Sequence, residues 1–275
     1  MARRLQQAGH TVHAWNRTQS KADPLAALGI AVHATVAGAV RQADIVVSLL
    51  ENGPAVEHVL FHAGAAQAMR PGTLFIDMAS IQPREARDHA ARLGEMGLAH
   101  LDAPVSGGTV GAENGTLAIM AGGRAEDFAR AQPVFAALGR ATHVGPHGSG
   151  QLAKLANQMI VGITIGAVAE ALLFAAKGGA DMAKVREAIQ GGFVDSRILQ
   201  LHGQRMVDRD FAPKARMGVQ LKDMRNALGT AKEIGFDAPV TTLFEALYAE
   251  GVEHGLGELD HSGLFVELAS RNAMQ

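Results

Sequence analysis

The chain has 275 residues, 48% hydrophobic and 19% charged, with a formal net charge of −2. This suits one large or two ordinary globular domains, and the lack of a long basic run excludes an electrostatic nucleic-acid footprint. Cysteine is absent, which excludes disulfides, cysteine–zinc sites and thiol catalysis and fits a reducing, cytoplasmic setting.

MARRLQQAGHTV carries two arginines and no apolar core, so it is not read as a signal peptide. Residues 1–8 read as a helix stopped by Gly9, and Thr11–Asn16 alternates like a strand. A helix follows over Ser20–Leu28, a short strand over Ile30–His33 and a helix over Val36–Gln42. Asp44–Leu50 (DIVVSLL) is a continuous apolar strand of the kind buried on both faces of a parallel sheet. Pro54–Phe61 is a helix with proline near its start, Gly72–Ala79 a strand and Pro83–Met96 an amphipathic helix. Ala99–Val105 is a strand leading into a glycine loop, Ser106–Gly115, then come strand Thr116–Ala121, helix Ala125–Leu138 and strand Ala141–Val144. The alternation predicts a doubly wound, Rossmann-like parallel sheet.

From Gly148 the pattern changes. GSGQLAKLANQMIV runs on to Lys177 as one long, mostly apolar helix, with Lys154 and Asn157 three residues apart on one face. Asn157, Gln158, Thr164 and Glu170 argue against a membrane span, so Gly162 and Gly166 are expected to allow close helix packing. Helices follow at Met182–Gly191, Ser196–Val207, Val219–Ile234, Val240–Glu253 and Leu259–Arg271, the last with Asp260 or Ser262 available as cap. Two domains are expected, 1–146 and an all-helical 147–275. The apolar length of Leu155–Ala176 predicts a homodimer or homotetramer with helical domains packed together. The histidines show no metal-ligand spacing, so no metal is expected.

A dinucleotide-binding sheet ordinarily begins with a strand and G-x-G-x-x-G ahead of its first helix. This sequence opens on the helix, so the sheet is expected to lack its first strand. Strand Thr11–Asn16 then takes the second position and ends at Asn16-Arg17-Thr18. An arginine at that tip accommodates a 2′-phosphate, which points to NADP over NAD; a solvated turn residue is the bland alternative.

Several motifs together resemble the β-hydroxyacid dehydrogenase family: FIDMASIQP (75–83), LDAPVSGGTVGAENGTLAIMAGG (101–123), GSGQLAKLANQMIV (148–161), GGFVDSRIL (191–199), QLKDMRNAL (220–228) and LDHS (259–262). The resemblance spans nearly the whole chain and is strongest to the tartronate semialdehyde reductase (2-hydroxy-3-oxopropionate reductase) branch. Gln158 departs from the second asparagine of many relatives. The resemblance implies NADP or NAD as cofactor and a small carboxylate-bearing aldehyde or hydroxy acid as substrate, with neither membrane nor nucleic acid as partner. It makes Lys154 the catalytic proton donor and assigns substrate contacts to Ser106, Gly107, Gly108 and Asn157. Cofactor contacts fall on Asn16, Arg17, Thr18, Leu49, Leu50, Ser80 and Lys222. Read alone, Ser80 could cap the helix at Pro83, Lys222 and Asp223 could be a solvated face, and Phe193 and Phe211 could line a pocket or pack a core. Three functions are compatible: reduction of tartronate semialdehyde to glycerate, NAD-dependent oxidation of 3-hydroxyisobutyrate or another 3-hydroxy acid, and a truncated, cofactor-deficient interaction protein.

Overall fold

The computed structural model describes residues 1–274. The chain divides into two compact units, Met1–Lys154 and Leu155–Gln275.

In the first unit, helix α1 (Ala2–Gln7) leads to strand β1 (His13–Ala14). The expected helix over Ser20–Leu28 is two 3-10 turns, Gln19–Lys21 and Asp23–Leu28; Pro24 breaks the α-helical bonding and Gly29 ends the second turn in the left-handed region (φ 76°). Strand β2 (Ala31–Val32) then pairs parallel with β1. Helix α2 (Val36–Val40) is capped by the Thr35 hydroxyl, which accepts from Gly38 N at 3.2 Å.

Strand β3 (Ile45–Ser48) is followed by α3 (Gly53–Glu57), a wide turn at His58–His62 and α4 (Ala65–Ala68). The single helix expected over Pro54–Phe61 is thus shorter, and α4 had no periodic signal. Strands β4 (Leu74–Asp77) and β5 (Ala99–Asp102) flank α5 (Pro83–Glu95), which buries Pro83, Ala86, His89 and Leu93 on one stripe. The expected glycine loop 106–115 is instead strand β6 (Val105–Ser106) and helix α6 (Gly108–Asn114), closed by Gly115 at φ 68°. Strand β7 (Leu117–Gly123), helix α7 (Ala125–Leu138) and strand β8 (Gly139–Gly145) complete the sheet.

Strands β3, β4 and β5 are parallel neighbours; β7 runs antiparallel to β5 and β6 and parallel to β8. Among the described residues β1 and β2 pair with each other and not with this six-stranded sheet. One core packs α2–α5 against β3 and β4, with Val56, Leu60, Ala86 and Leu93 buried; another packs α7 under β4, β5 and β7, with Leu101, Ile119 and Phe135 buried.

Helix α8 (Ser149–Lys177) begins in the first unit and continues as the first element of the second. It is long and apolar enough to cross a membrane by length and composition. Ile165, Ala169, Leu172 and Leu173 nevertheless belong to a core with Met206, Met224, Tyr248 and Phe265. A Cβ on Gly162 would lie 2.6 Å from Gln220 Nε2, and one on Gly166 2.1 Å from the Phe244 ring. These glycines therefore serve helix packing within the second unit. Helices α9 (Met182–Ile189), α10 (Arg197–Asp208), α11 (Met217–Glu233), α12 (Pro239–Gly251) and α13 (Leu264–Arg271) follow. Asp260 caps a 3-10 turn ahead of α13 and is fully buried. It accepts from Ser262 Oγ (2.7 Å), Lys214 N (3.2 Å) and Ala215 N (3.1 Å), with Arg205 Nη1 at 2.9 Å from its Oδ2. The LDHS motif thus ties the loop before α11 to the final helix.

Candidate active site

The carboxyl ends of parallel strands are where ligands bind in doubly wound folds, and the sequence-derived candidates of the first unit follow such ends. At the tip of β1, Asn16 Oδ1 accepts from Thr18 N at 2.9 Å, forming an Asx turn that leaves Arg17 exposed. After β3, Leu49 is exposed while Leu50 packs partly buried against the core. After β4 comes Ser80. It is not the cap of α5: Gln82 holds that position, in a capping box whose Glu85 carboxylate accepts from Gln82 N at 2.8 Å. Beyond β5, Ser106 sits in β6 opposite Ala118, and Gly107 and Gly108 take positive φ (135° and 63°). A side chain at 107 would press on Leu117 Cδ2 at 3.2 Å. The exposed Arg17 guanidinium after β1 has the charge to meet an anionic group, and the exposed Leu49 after β3 offers an apolar surface; both are compatible with a nicotinamide dinucleotide.

Three buried polar residues that sequence reading did not single out lie at this edge. Asp77 and Asp102 end β4 and β5 and are register partners, both with no exposed surface. Asp77 Oδ1 accepts from Ala79 N at 3.0 Å, and Oδ2 is buried without a hydrogen-bond partner among the described residues. Burial pushes the Asp77 carboxyl up to about 7, the Ala79 N–H opposing and the Asp102 charge adding to the rise. Burial also raises Asp102, against the N–H groups of Gly148 and Gln151 that bond its charged form. Those bonds are 2.8 Å from Gly148 N to Oδ1 and 2.9 Å from Gln151 N to Oδ2. Gln151 is itself fully buried; its amide donates to Ala79 O at 2.8 Å and accepts from Ile81 N at 3.1 Å. Lys154 follows one turn later, half-buried. The signals were available, as an aspartate at each strand end and a glutamine in an apolar helix, but the partners of Asp102 and Gln151 are tens of residues away in sequence.

In the second unit, Asn157 Nδ2 donates to Gln158 Oε1 at 2.8 Å, Gln158 Nε2 to Asp223 Oδ2 at 2.8 Å, and Lys222 Nζ lies 3.0 Å from Asp223 Oδ1. Asp223 is buried and Lys222 is about one-third exposed on its side chain (30%), so this pair is not a freely solvated face. Gln158, at the position of family departure, thus links Asn157 to Asp223. Phe211 stacks on Phe265 in the core, whereas Phe193 is fully exposed. Folding also brings ligand atoms of His202, Asp260 and His261 within 4.8 Å of one another, a grouping invisible in their spacing. Its carboxylate is already engaged by Arg205 and Ser262.

Residues 1–145 match the family model described as the NAD-binding domain of 6-phosphogluconate dehydrogenase, and residues 148–268 the one described as NAD-binding of NADP-dependent 3-hydroxyisobutyrate dehydrogenase. The chain is 42% identical to 2-hydroxy-3-oxopropionate reductase of Escherichia coli, over 96% of this chain and 91% of that one. It is 34% identical to 3-hydroxyisobutyrate dehydrogenase of Pseudomonas aeruginosa, over 96% and 91%. The solved 3-hydroxyisobutyrate dehydrogenase of Mycobacterium tuberculosis with L-serine superposes with a TM-score of 0.89 at 31% identity, covering 97% of this chain and 94% of that one. The chain belongs to the β-hydroxyacid dehydrogenase family, whose members are NAD(P)-dependent oxidoreductases acting on the hydroxyl group of small hydroxy acids.

Proposed function

We propose that this enzyme reduces tartronate semialdehyde to glycerate, with NADPH preferred over NADH and Lys154 as proton donor. The observation that carries the proposal is Lys154 itself, half-buried one turn past a helix start anchored on Asp102 at the end of β5 and on the segment after β4. The likeness to the E. coli reductase supports the choice of substrate. The nicotinamide supplies a hydride to the aldehyde carbon when bound. The Lys154 ammonium gives one proton to the carbonyl oxygen, so that the aldehyde becomes a primary alcohol, and the amine is reprotonated from water. Backbone N–H groups at Ser106, Gly107 and Gly108 are assigned to the substrate carboxylate, since glycines with positive φ let amides approach an anion. Arg17, with Asn16 and Thr18, is assigned to the ribose phosphate, and Leu49, Leu50 and Ser80 to the rest of the cofactor. Asn157 is assigned to substrate orientation and Lys222 to the cofactor's nicotinamide end. In this reading 1–146 carries most of the cofactor contacts and the substrate carboxylate loop, and 147–275 carries Lys154, Asn157, Lys222 and the oligomer contacts.

A panel of tartronate semialdehyde, methylmalonate semialdehyde, glycerate, 3-hydroxyisobutyrate and L-serine, each with both cofactors, tests the assignment. The highest kcat/KM is expected for tartronate semialdehyde with NADPH. Equal efficiency across the panel would sink the specific substrate, and loss of less than about tenfold in Lys154→Ala would remove the lysine from the proton-transfer step. The second reading, oxidation of 3-hydroxyisobutyrate, is favoured by the resemblance to the P. aeruginosa and M. tuberculosis enzymes, and the same panel decides it.

A further inference from the structure

We infer that Asp102 and Gln151 are positioning residues that brace Lys154 to the Ser80 loop, so that proton donor and cofactor loop move as one body. The inference rests on Lys154 being the proton donor, as proposed above.

The geometry is a closed circuit of buried groups. The Asp102 carboxylate, at the end of β5, accepts from Gly148 N and Gln151 N at the entry of α8. Helix entries leave N–H groups without intrahelical partners, so a buried carboxylate there fixes both position and direction of the first turn. The Gln151 side chain then reaches across to the segment after β4, donating to Ala79 O and accepting from Ile81 N on either side of Ser80. The circuit closes through the sheet, where Asp77, which accepts from Ala79 N, is the register partner of Asp102. Glycines press the same turn on to the sheet: a Cβ on Gly150 would lie 2.3 Å from Asp102 O and 2.4 Å from Met120 O, and one on Gly122 2.6 Å from Gly150 N. Both Gln151 and Asp102 are fully buried. A buried primary amide whose oxygen and nitrogen both serve main-chain groups of a distant loop is costly to place unless that loop is held. Lys154 lies three residues along the same helix, so its ammonium inherits the placement of this turn.

The test is a double-mutant cycle with Gln151→Leu and Lys154→Ala in the full chain, with Gln151→Glu as a milder variant should the leucine destabilise folding. Gln151→Leu is expected to lower kcat about 30-fold, the scale of a misplacement well under 1 Å, with KM changed less than about threefold. Gln151→Glu keeps the acceptor for Ile81 N and is expected to fall between the two. On the Lys154→Ala background Gln151→Leu should cost less than about twofold further, because its effect passes through the lysine. An equal loss on both backgrounds, or an unchanged kcat in Gln151→Leu, overturns the brace. Amide hydrogen exchange of the protein without cofactor supplies a readout independent of turnover. Gln151→Leu should raise exchange in 79–82 and 148–154 together, and unchanged protection in either segment overturns the proposal. If Lys154→Ala alone keeps full turnover, the proton-donor reading fails separately, and the exchange result still decides whether the two segments are coupled.

Discussion

An arginine at the tip of β1 offers a permanent positive charge where an acidic residue would instead accept ribose hydroxyls. Arg17→Asp is therefore expected to shift the NADPH-to-NADH ratio of kcat/KM toward NADH by at least about tenfold; an unchanged ratio takes Arg17 out of the site. Asp77 makes a second residue-level test. Well below pH 4 its carboxyl is protonated in folded and unfolded chains alike. As pH climbs to about 7 the unfolded chain ionises first, so the native state loses relative stability across that window and the loss is complete above it. Asp77→Asn should raise the melting temperature at pH 8 and change it little at pH 4, a gain on the order of a few kcal/mol at the alkaline end. An equal change at both values would show that the Asp77 charge is not what the fold bears. Lys154, Ser106 and Arg17 were legible because they sit in dense motifs. Asp102 and Gln151 were not, because a buried polar side chain is recognised by its partners, and theirs lie 46 to 72 residues apart for the pairs Asp102–Gly148 and Gln151–Ala79; Asp77, bonded only two residues away to Ala79 N, is set apart by its burial at the end of β4, which sequence does not display.

Among elements, the entry of α8 and the last turn of α5 make a controlled contrast. Gly150 faces carbonyl oxygens of β5 and β7 that belong to paired strands and cannot yield, whereas nothing lies within 4 Å of a Cβ added at Gly94. Gly150→Ala is expected to destabilise by about 1–3 kcal/mol or more through overpacking, and Gly94→Ala to stabilise by up to about 1 kcal/mol through helix propensity. Urea melts of both variants check this; equal midpoints would mean the helix entry is not pressed on the sheet. The same scale explains what was readable. β3 and β4 announced themselves as mostly apolar runs, and α8 as a long one. β6 and α6 hid in a glycine-rich stretch whose local signals favour turns, and the 3-10 turns of 19–28 carry the same amphipathic spacing as a short α-helix. In each case pairing and packing, rather than propensity, decided the outcome.

For the molecule as a whole, α8 leaves Ile160 (65%) and Phe174 (80%) exposed, two large apolar side chains on the helix expected to meet a second copy. Light scattering should give a dimer or tetramer for the native chain and a smaller, still folded species for Ile160→Lys with Phe174→Lys; an unaltered mass would move the interface elsewhere. The division of the sheet also has a consequence for how the cofactor can be followed. A two-stranded pair such as β1 and β2 is marginal when it is not extended by neighbours, and it is flanked by the exposed Arg17 and Lys21. Trypsin should make its earliest internal cut after one of these two residues, and NADPH should slow that cut more than NADH does. A first cut elsewhere, or one indifferent to NADPH, would argue against cofactor contact at this tip. Otherwise a protease and a gel suffice to report the occupancy of the nucleotide end without any turnover at all.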